Sequence, residues 1–264
     1  MDFASRLRAM KIQGATNITI ASMKHLKTFS RKNGFENKFD VECRKIIAAR
    51  PTAVVLYNAL TRVKKEKDWK SIDHIITELA EAREKAAKNA GKVFSKREII
   101  LTHCHSTDVI AALVKNKSKI KEVIVTETRP RDQGVMTAKE LLAKKIKVSF
   151  IVDSAISDFI GKCDVVFVGA DALRKEGLVN KVGTYPLALV AKENGKPFYV
   201  VTTTFAIDKR KKIFMEERPV AELAHKDLRG AKILNPAFDL TPWKYVTGVI
   251  TEKGISKNPR KLIK

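Results

Sequence analysis

Two short runs of the sequence each pass from apolar to polar residues at the point where a strand should end. Residues 100–106 read Ile-Leu-Thr-His-Cys-His-Ser, and residues 168–173 read Val-Gly-Ala-Asp-Ala-Leu. In an open parallel sheet, ligands bind in the crevice at the carboxyl ends of the strands. We therefore expect the thiol of Cys104 and the carboxyl group of Asp171 to face one pocket.

Cys104 has neighbours that suit a reactive thiol. It lies between His103 and His105, and Ser106 follows as a candidate cap for a helix that begins near Thr107. A helix N-terminus lowers the pKa of a nearby thiol, and its backbone N–H groups can bind a phosphate. The alternative is a small core hydrophobe, the commoner role of a lone cysteine. We expect at most one of the two histidines to face the pocket.

Asp171 is a candidate general acid. It follows an apolar run and two small residues, Gly169 and Ala170, which let the backbone approach a ligand. Desolvation at the lip of a sheet would raise the pKa of its carboxyl group, as a general acid requires. Asn180 and Lys181 supply an amide and a cation that could bind a substrate phosphate or, for the lysine, pair with Asp171. The alternatives are an aspartate that caps the next element and a surface lysine in a loop.

Arg129, Arg50 and the pair Gly14-Ala15 are weaker candidates for substrate contacts. Arg129 follows another predicted strand and Arg50 precedes a proline. Either guanidinium could clamp a phosphate or carboxylate with two parallel hydrogen bonds. The alternative for Arg129 is an ion pair with Glu127 that holds the loop. Gly14 and Ala15 come just before a predicted helix, where Gly14 could offer backbone N–H groups to an anion.

The elements that would position these residues fall into two segments. Residues 1–95 read as a small helical domain, because apolar residues recur there at helical spacing. Residues 96–264 alternate short apolar runs with helical patterns, which predicts an α/β, Rossmann-like domain with a mostly parallel sheet. The predicted strands are 99–102, 123–126, 148–152, 165–168, 198–202 and 246–251. The predicted helices are 69–94, 109–115, 137–144, 154–159 and 186–194, and the basic tail 257–264 is expected to fray.

The composition is that of a globular protein with an unusual charge. The chain has 264 residues, 44% of them hydrophobic, and its apolar runs are too short to cross a membrane. Its start lacks the apolar region of a signal peptide, and three cysteines without a CxxC spacing predict free thiols in a reducing cytoplasm.

The net charge of +23 raises the hypothesis of a nucleic-acid or other anionic partner. The lysines are dispersed along the chain, however, and no basic run is interleaved with aromatic residues as in a stacking platform. We therefore favour lysines on solvated surfaces together with an anionic small-molecule substrate. Nucleic acid remains the weaker alternative.

Several motifs together carry a resemblance that covers most of the chain. They are Arg-Pro-Thr-Ala-Val from residue 50, Thr-His-Cys-His-Ser from 102, Val-Thr-Glu-Thr-Arg-Pro from 125, Val-Gly-Ala-Asp from 168, Asn-Lys-Val-Gly-Thr from 180 and Asn-Pro-Ala-Phe-Asp from 235. With them the chain resembles the family related to the alpha, beta and delta subunits of initiation factor 2B. That family also includes methylthioribose-1-phosphate isomerases and archaeal ribose-1,5-bisphosphate isomerases, and the likeness is strongest to the last group.

The resemblance implies roles for the residues that match. In the isomerases the cysteine and the aspartate are the catalytic pair, which here corresponds to Cys104 as base and Asp171 as acid. Arg50, Asn180 and Lys181 match substrate-binding positions. Three other positions differ, because the residues that stand where the isomerases carry cations are Gln13, Thr107 and Ala206.

The sequence therefore predicts a sugar-phosphate aldose–ketose isomerase, with ribose 1,5-bisphosphate as first candidate substrate and no metal or organic cofactor. The missing cations leave a related sugar phosphate open. One alternative is a methylthioribose-1-phosphate isomerase, and another is a regulatory subunit that binds initiation factor 2. The family further implies a homo-oligomer, a dimer or larger, without fixing its size.

Overall fold

The N-terminal part of the chain is helical, as the periodicity predicts. We describe a computed structural model that covers residues 2–12, 14–212, 215–223 and 230–263, so Gln13 lies outside the described residues. The helices of this part are α1 (Phe3–Arg8), α2 (Ala15–Asn33), α3 (Asn37–Ala49), α4 (Val54–Glu66) and α5 (Trp69–Ala90).

Helix α5 shows why these residues are helical. Asp68 caps its start, with the carboxylate accepting a hydrogen bond from the backbone N–H of Ser71 at 2.7 Å. One face is buried through Ile72, Ile75 and Leu79. The helix ends at Ala90 and not near residue 94 as predicted. Gly91 follows, and it is packed so closely that an added methyl group would lie 2.2 Å from Asn116 Oδ1.

The remainder of the chain builds an α/β domain, and the predicted fold class is confirmed. Its strands are β1 (Glu98–Thr102), β2 (Ile120–Thr126), β3 (Val148–Ile151), β4 (Val165–Val168), β5 (Ala172–Leu173), β6 (Gly177–Lys181), β7 (Phe198–Val201), β8 (Phe238–Pro242), β9 (Gly248–Thr251) and β10 (Gly254–Ser256). Its helices are α6 (Thr107–Lys115), α7 (Gln133–Ala143), α8 (Ile156–Ile160), α9 (Thr184–Glu193) and α10 (Pro259–Leu262).

Seven strands form the main sheet, in the order β10-β9-β7-β4-β1-β2-β3. All neighbours pair in parallel except β10, which is antiparallel to β9. Alternate residues of each strand enter cores on opposite faces, as in β1, where Leu101 packs with the N-terminal helices and Ile100 packs with α6. Strands buried on both faces explain the continuous runs of valine and isoleucine.

A second, antiparallel sheet joins β5, β6 and β8, and the sequence does not predict it. All five residues of β6 are buried, including Asn180 and Lys181. In the register with β8, Asn180 lies opposite Asp239 and Lys181 opposite Phe238. The alternative of a surface lysine in a loop is therefore wrong for Lys181.

The end of the described chain is folded and not frayed. Helix α10 covers residues 259–262, and Ile263 is 2% exposed within the main core. The prediction of a fraying tail is wrong for these residues because Ile263 buries its side chain. No helix within the described ranges is long and apolar enough to cross a membrane.

Candidate active site

The carboxyl ends of β1 and β4 face a cleft that the N-terminal helices help to close. The cleft contains about 880 Å³ of space, including the part open to solvent. Eight of the nine predicted site residues line it: Gly14, Ala15, Arg50, Cys104, Ser106, Asp171, Asn180 and Lys181. The structure thus brings together residues that lie up to 167 positions apart in the chain, and it places Cys104 and Asp171 in one cleft as the strand-end argument predicts.

Cys104 lies just past the end of β1 in a backbone conformation that few non-glycine residues adopt. Its φ is 71°, and its backbone N–H donates to Thr128 Oγ1 at 2.9 Å. Thr128, in the loop after β2, also has a positive φ of 65°. Two such residues bonded to each other fix the direction in which the thiol enters the cleft.

Burial raises the pKa of the Cys104 thiol to about 12, which overturns the expected lowering. Helix α6 begins at Thr107, and its cap, Ser106, accepts a hydrogen bond from the N–H of Val109 at 3.3 Å. The thiol is thus outside the capped turn, and the loss of water dominates. Lys181 opposes this effect and Asp171 adds to it, so both groups are close enough to influence the sulfur.

Asp171 follows β4 and lines the same cleft. Its backbone N–H donates to Val179 O at 3.0 Å, which ties it to the small sheet. Desolvation raises the pKa of its carboxyl group to about 6, against the lowering effect of Arg50 and Lys181. The expected direction of this shift is confirmed, and its cause is the one predicted.

Two buried cations line the cleft without a carboxylate partner. Arg50 is 7% exposed and Lys181 is 6% exposed. Arg50 donates from Nη1 to the sulfur of Met10 at 3.0 Å, and its Nε has no partner among the described residues. Within the same ranges Lys181 Nζ makes no hydrogen bond or ion pair. Buried charges are normally paired, so this cleft is built to receive an anion.

Both histidines that flank Cys104 line the cleft, so the expectation that at most one would do so is wrong. The reason is that residues two apart in an extended chain point to the same side, so the spacing of the two histidines gives no ground for separating them. His103 is buried between Thr126 Oγ1 at 2.7 Å and Val182 O at 2.9 Å, and burial lowers its pKa. A neutral ring held on both nitrogens positions the chain beside Cys104.

A model of the Initiation factor 2 subunit family matches residues 11–258. The chain belongs to that family. The resemblance drawn from the motifs is confirmed.

Named members of the family include sugar-phosphate isomerases and translation factors. The ribose 1,5-bisphosphate isomerase of Methanocaldococcus jannaschii is 38% identical over 273 residues, which cover 95% of this chain and 89% of that protein. A methylthioribose-1-phosphate isomerase of a Thermoanaerobacter species is 37% identical, over 96% of this chain and 84% of that one. The structure of a Pyrococcus horikoshii translation initiation factor eIF-2B superposes with a TM-score of 0.88 at 28% identity, over 98% and 97% of the two chains.

Two of the positions where the family's isomerases carry cations can be located. Thr107 lines the cleft beside the start of α2, where a methyl group on Gly14 would lie 3.1 Å from its Cγ2. Arg83 reaches this point from α5, with Nη2 3.3 Å from Thr107 Oγ1 and Nε 3.2 Å from Asp108 Oδ1. Ala206 is fully buried in the core. A cation therefore stands next to the first position, and the second is filled by an apolar side chain.

The ninth predicted residue, Arg129, does not line the cleft. Its side chain is 44% exposed and pairs with Asp132 at 3.1 Å. Arg131, two residues further along the same loop, lines the cleft instead, together with Glu216 and Arg218. The sequence signals Arg131 through its place after a strand. It gives no signal for residues 215–223, which carry no recognisable pattern.

Proposed function

We propose that the chain is an aldose–ketose isomerase acting on a phosphorylated pentose, with ribose 1,5-bisphosphate converted to ribulose 1,5-bisphosphate as the specific reaction. The observation that carries the proposal is one cleft with a thiol, a carboxyl group of raised pKa, and two buried cations that have no carboxylate partner among the described residues. The cations suit a phosphate ester. The names of the relatives support the same activity over a purely regulatory role.

Near neutral pH, the proposed catalytic pair of Cys104 and Asp171 holds one proton between the two groups. With pKa values near 6 for Asp171 and near 12 for Cys104, the empty cleft holds a carboxylate and a protonated thiol at pH 7. The reaction requires the other arrangement, in which the thiol proton of Cys104 has moved to the carboxylate of Asp171 and Cys104 is a thiolate. A substrate phosphate bound to Arg50 and Lys181 would weaken their effect on Asp171 and add negative charge, so its pKa would rise further. Substrate binding therefore favours a protonated Asp171.

The proposed steps balance protons and bonds. Asp171 gives its proton to the ring oxygen as the bond from that oxygen to C1 breaks. Cys104, as thiolate, takes the proton from C2, and a double bond forms between C1 and C2. Cys104 then returns this proton to C1, while the Asp171 carboxylate takes the proton of the C2 hydroxyl group, which becomes the carbonyl. Both groups end as they began, and no redox partner is consumed.

The decisive experiment is an NMR assay of the purified protein with ribose 1,5-bisphosphate. We expect the signals of ribulose 1,5-bisphosphate to appear with the wild type and to be absent with Cys104→Ser and with Asp171→Asn. Cys163→Ser is the matched control, because that cysteine is buried outside the cleft and its thiol already donates to Ile160 O as a hydroxyl would. Cys163→Ser should keep full activity.

Three results would change the assignment. Full activity in Cys104→Ser or Asp171→Asn would remove the assigned roles. Turnover of methylthioribose 1-phosphate in place of ribose 1,5-bisphosphate would assign the second activity found among the relatives. Turnover of neither sugar would favour the regulatory alternative, which a binding assay with initiation factor 2 subunits would then test.

We also propose that the protein forms a homo-oligomer in the cytoplasm. Large apolar side chains remain exposed on α7, on the edge strand β3 and directly after that strand, namely Met136, Leu142, Phe150 and Val152. Exposed apolar groups on an edge strand favour a covering partner. Light scattering coupled to gel filtration would give the size, and a monomer at micromolar concentration would contradict the proposal.

A further inference from the structure

Arg131 is held at the wall of the cleft by a carboxylate that is not itself part of the lining. Its Nη1 donates to Glu222 Oε1 at 2.8 Å. The same oxygen accepts a hydrogen bond from Arg218 Nη2 at 2.5 Å. Both arginines line the cleft, and Glu222 does not. The carboxylate of Glu222 therefore holds the guanidinium groups of Arg131 and Arg218 next to each other.

Residues 215–223, here called the strap, carry Glu222 and Arg218 and are themselves anchored. The backbone N–H of Arg218 donates to Asn235 O at 2.9 Å, and that of Ala237 donates to Glu216 O at 2.8 Å. Because β8 begins at Phe238, the strap is tied to the small antiparallel sheet that holds Lys181. The position of Arg131 is thus determined by the same sheet that positions the reaction site.

The arginines keep hydrogen-bond capacity and net charge for an anion. Arg131 uses only Nη1 among the described residues, which leaves the N–H groups of Nε and Nη2. Arg50 likewise keeps its Nε without a partner. Three arginines against Glu216 and Glu222 leave one net positive charge at this end of the cleft.

Arg131 enters the cleft from the loop after β2 and Arg218 enters it from the strap, whereas Cys104, Asp171 and Lys181 stand at or just after the ends of β1, β4 and β6. Lys181 influences the pKa of both Cys104 and Asp171. Arg131 and Arg218 influence the pKa of Arg50. A phosphate on C1 must sit beside the reacting carbons, whereas a phosphate on C5 lies at the other end of the sugar.

We propose that Arg131 binds the second phosphate group of a doubly phosphorylated sugar, and that Glu222 and Arg218 are positioning residues for Arg131. The proposal rests on the proposed function for the identity of the sugar. It assigns the preference for a bisphosphate over a monophosphate to the loop after β2 and to the strap. It also gives this chain a source of positive charge that does not depend on residues 107 and 206.

Binding is measured by calorimetry in the Cys104→Ser background, so that no turnover interferes. The ligands are ribose 1,5-bisphosphate and ribose 1-phosphate. We expect Arg131→Gln to weaken the bisphosphate about 10- to 100-fold, which is the usual effect of losing a charge-assisted hydrogen bond. The same change should leave ribose 1-phosphate within about threefold, since the lost donor faces a group that this ligand lacks.

Further variants separate direct contact from loosening of the strap. Glu222→Gln frees the strap but keeps the arginine, so it should weaken the bisphosphate less than Arg131→Gln does. Arg131→Lys should restore part of the affinity. Arg62→Gln is the control for charge, because Arg62 pairs with Glu66 and Glu78 on the outer helices and does not line the cleft. In the active background, Arg131→Gln should raise KM for the bisphosphate and change kcat by less than about threefold.

The outcomes distinguish this inference from the proposed function. If Arg131→Gln weakened both ligands equally, or if Glu222→Gln weakened the bisphosphate as much as Arg131→Gln does, the role of Arg131 would be structural. Either result would overturn the inference and leave the proposed isomerase activity unaffected. An unchanged affinity of Arg131→Gln for the bisphosphate would also overturn it. Selective weakening in a protein without isomerase activity would support the subsite and reject the proposed reaction. No binding of either sugar by the parent would overturn the subsite directly.

Discussion

The carboxyl group of Asp171 is kept in surroundings that penalise its charge. Its pKa of about 6 in the folded protein lies above the ordinary value of 3.8. The folded state therefore binds the proton more tightly than the unfolded state does. Stability is lost as pH rises from about 4 through about 6, and the full penalty is present above that range.

Asp171→Asn should consequently stabilise the protein at alkaline pH while it abolishes turnover. We expect the free energy of unfolding to rise by about 1–3 kcal/mol at pH 8, because the neutral amide carries no desolvated charge. Below about pH 4 the gain should vanish, since the wild-type carboxyl group is then protonated in both states. Urea unfolding at the two pH values measures this.

Asp158→Asn serves as the control for that experiment, because Asp158 is exposed on α8. The free energy of unfolding of Asp158→Asn should equal that of the wild type at both pH values. A loss of stability in Asp171→Asn at pH 8 would mean that the carboxylate is stabilised by its cationic neighbours, contrary to the shift described above.

At the scale of single residues, the sequence predicts which residue types come together in the cleft. It does not predict which of two nearby arginines faces the cleft. Arg129 and Arg131 follow the same strand and carry the same charge, yet only Arg131 lines the cleft. The choice depends on the path of the loop, where the backbone N–H groups of Thr128 and Arg129 both donate to Asp153. The sequence does not predict the pKa of Cys104 either, because this pKa depends on how much water the folded cleft excludes.

Among the elements, the start of α9 is pressed against the residue that precedes the candidate base. Gly183 has a φ of 101°, and an added methyl group would lie 2.9 Å from His103 Nε2. Gly183→Ala should cost about 2–4 kcal/mol, since it adds a clash in a packed site to the strain of a positive φ. It should also reduce kcat, because His103 adjoins Cys104.

Gly195→Ala isolates the contribution of the backbone conformation. Gly195 also has a positive φ, of 63°, but open space surrounds the position of its missing methyl group. We expect a cost of about 1 kcal/mol and normal kcat. Thermal unfolding and the NMR assay, applied to both variants, check the pair. Equal effects would mean that the contact with His103 has no importance.

The large parallel sheet is predictable from sequence, and the small sheet is not. Strands β1, β2, β4 and β7 are continuous apolar runs between helical patterns, and each is found within a few residues of its prediction. Strand β5 has two residues, too few for any periodicity, and β6 ends in Asn180 and Lys181. Polar side chains that are buried at a cleft look like loop residues when only the sequence is read.

At the scale of the whole molecule, the two predicted segments share one core. The largest cluster of buried side chains runs without interruption from Leu7 in α1 to Val249 in β9. Asn58 in α4 donates to Phe205 O and Ile207 O, both at 2.8 Å. The boundary near residue 95 stays a prediction about architecture, and these contacts indicate that the two sides do not unfold independently.

We therefore predict a single cooperative unfolding transition, and the two tryptophans allow a direct test. Trp69 lies in α5 and Trp243 lies in the α/β segment, where its ring N–H donates to Arg174 O at 2.8 Å. In urea, the fluorescence midpoint of Trp69→Phe should coincide with its circular dichroism midpoint, and likewise for Trp243→Phe. A fluorescence midpoint that departs from the dichroism midpoint in either variant would show that one segment melts before the other.

The grouping of cations in the cleft has a kinetic consequence. Isomerisation moves hydrogen between two carbons and leaves every phosphate where it was, so the product meets the same arginines and lysine as the substrate. The reaction itself does not weaken the contacts between these cations and the phosphates. We therefore predict that departure of the product limits the cycle, so that added salt speeds turnover at saturation while it slows capture of dilute substrate.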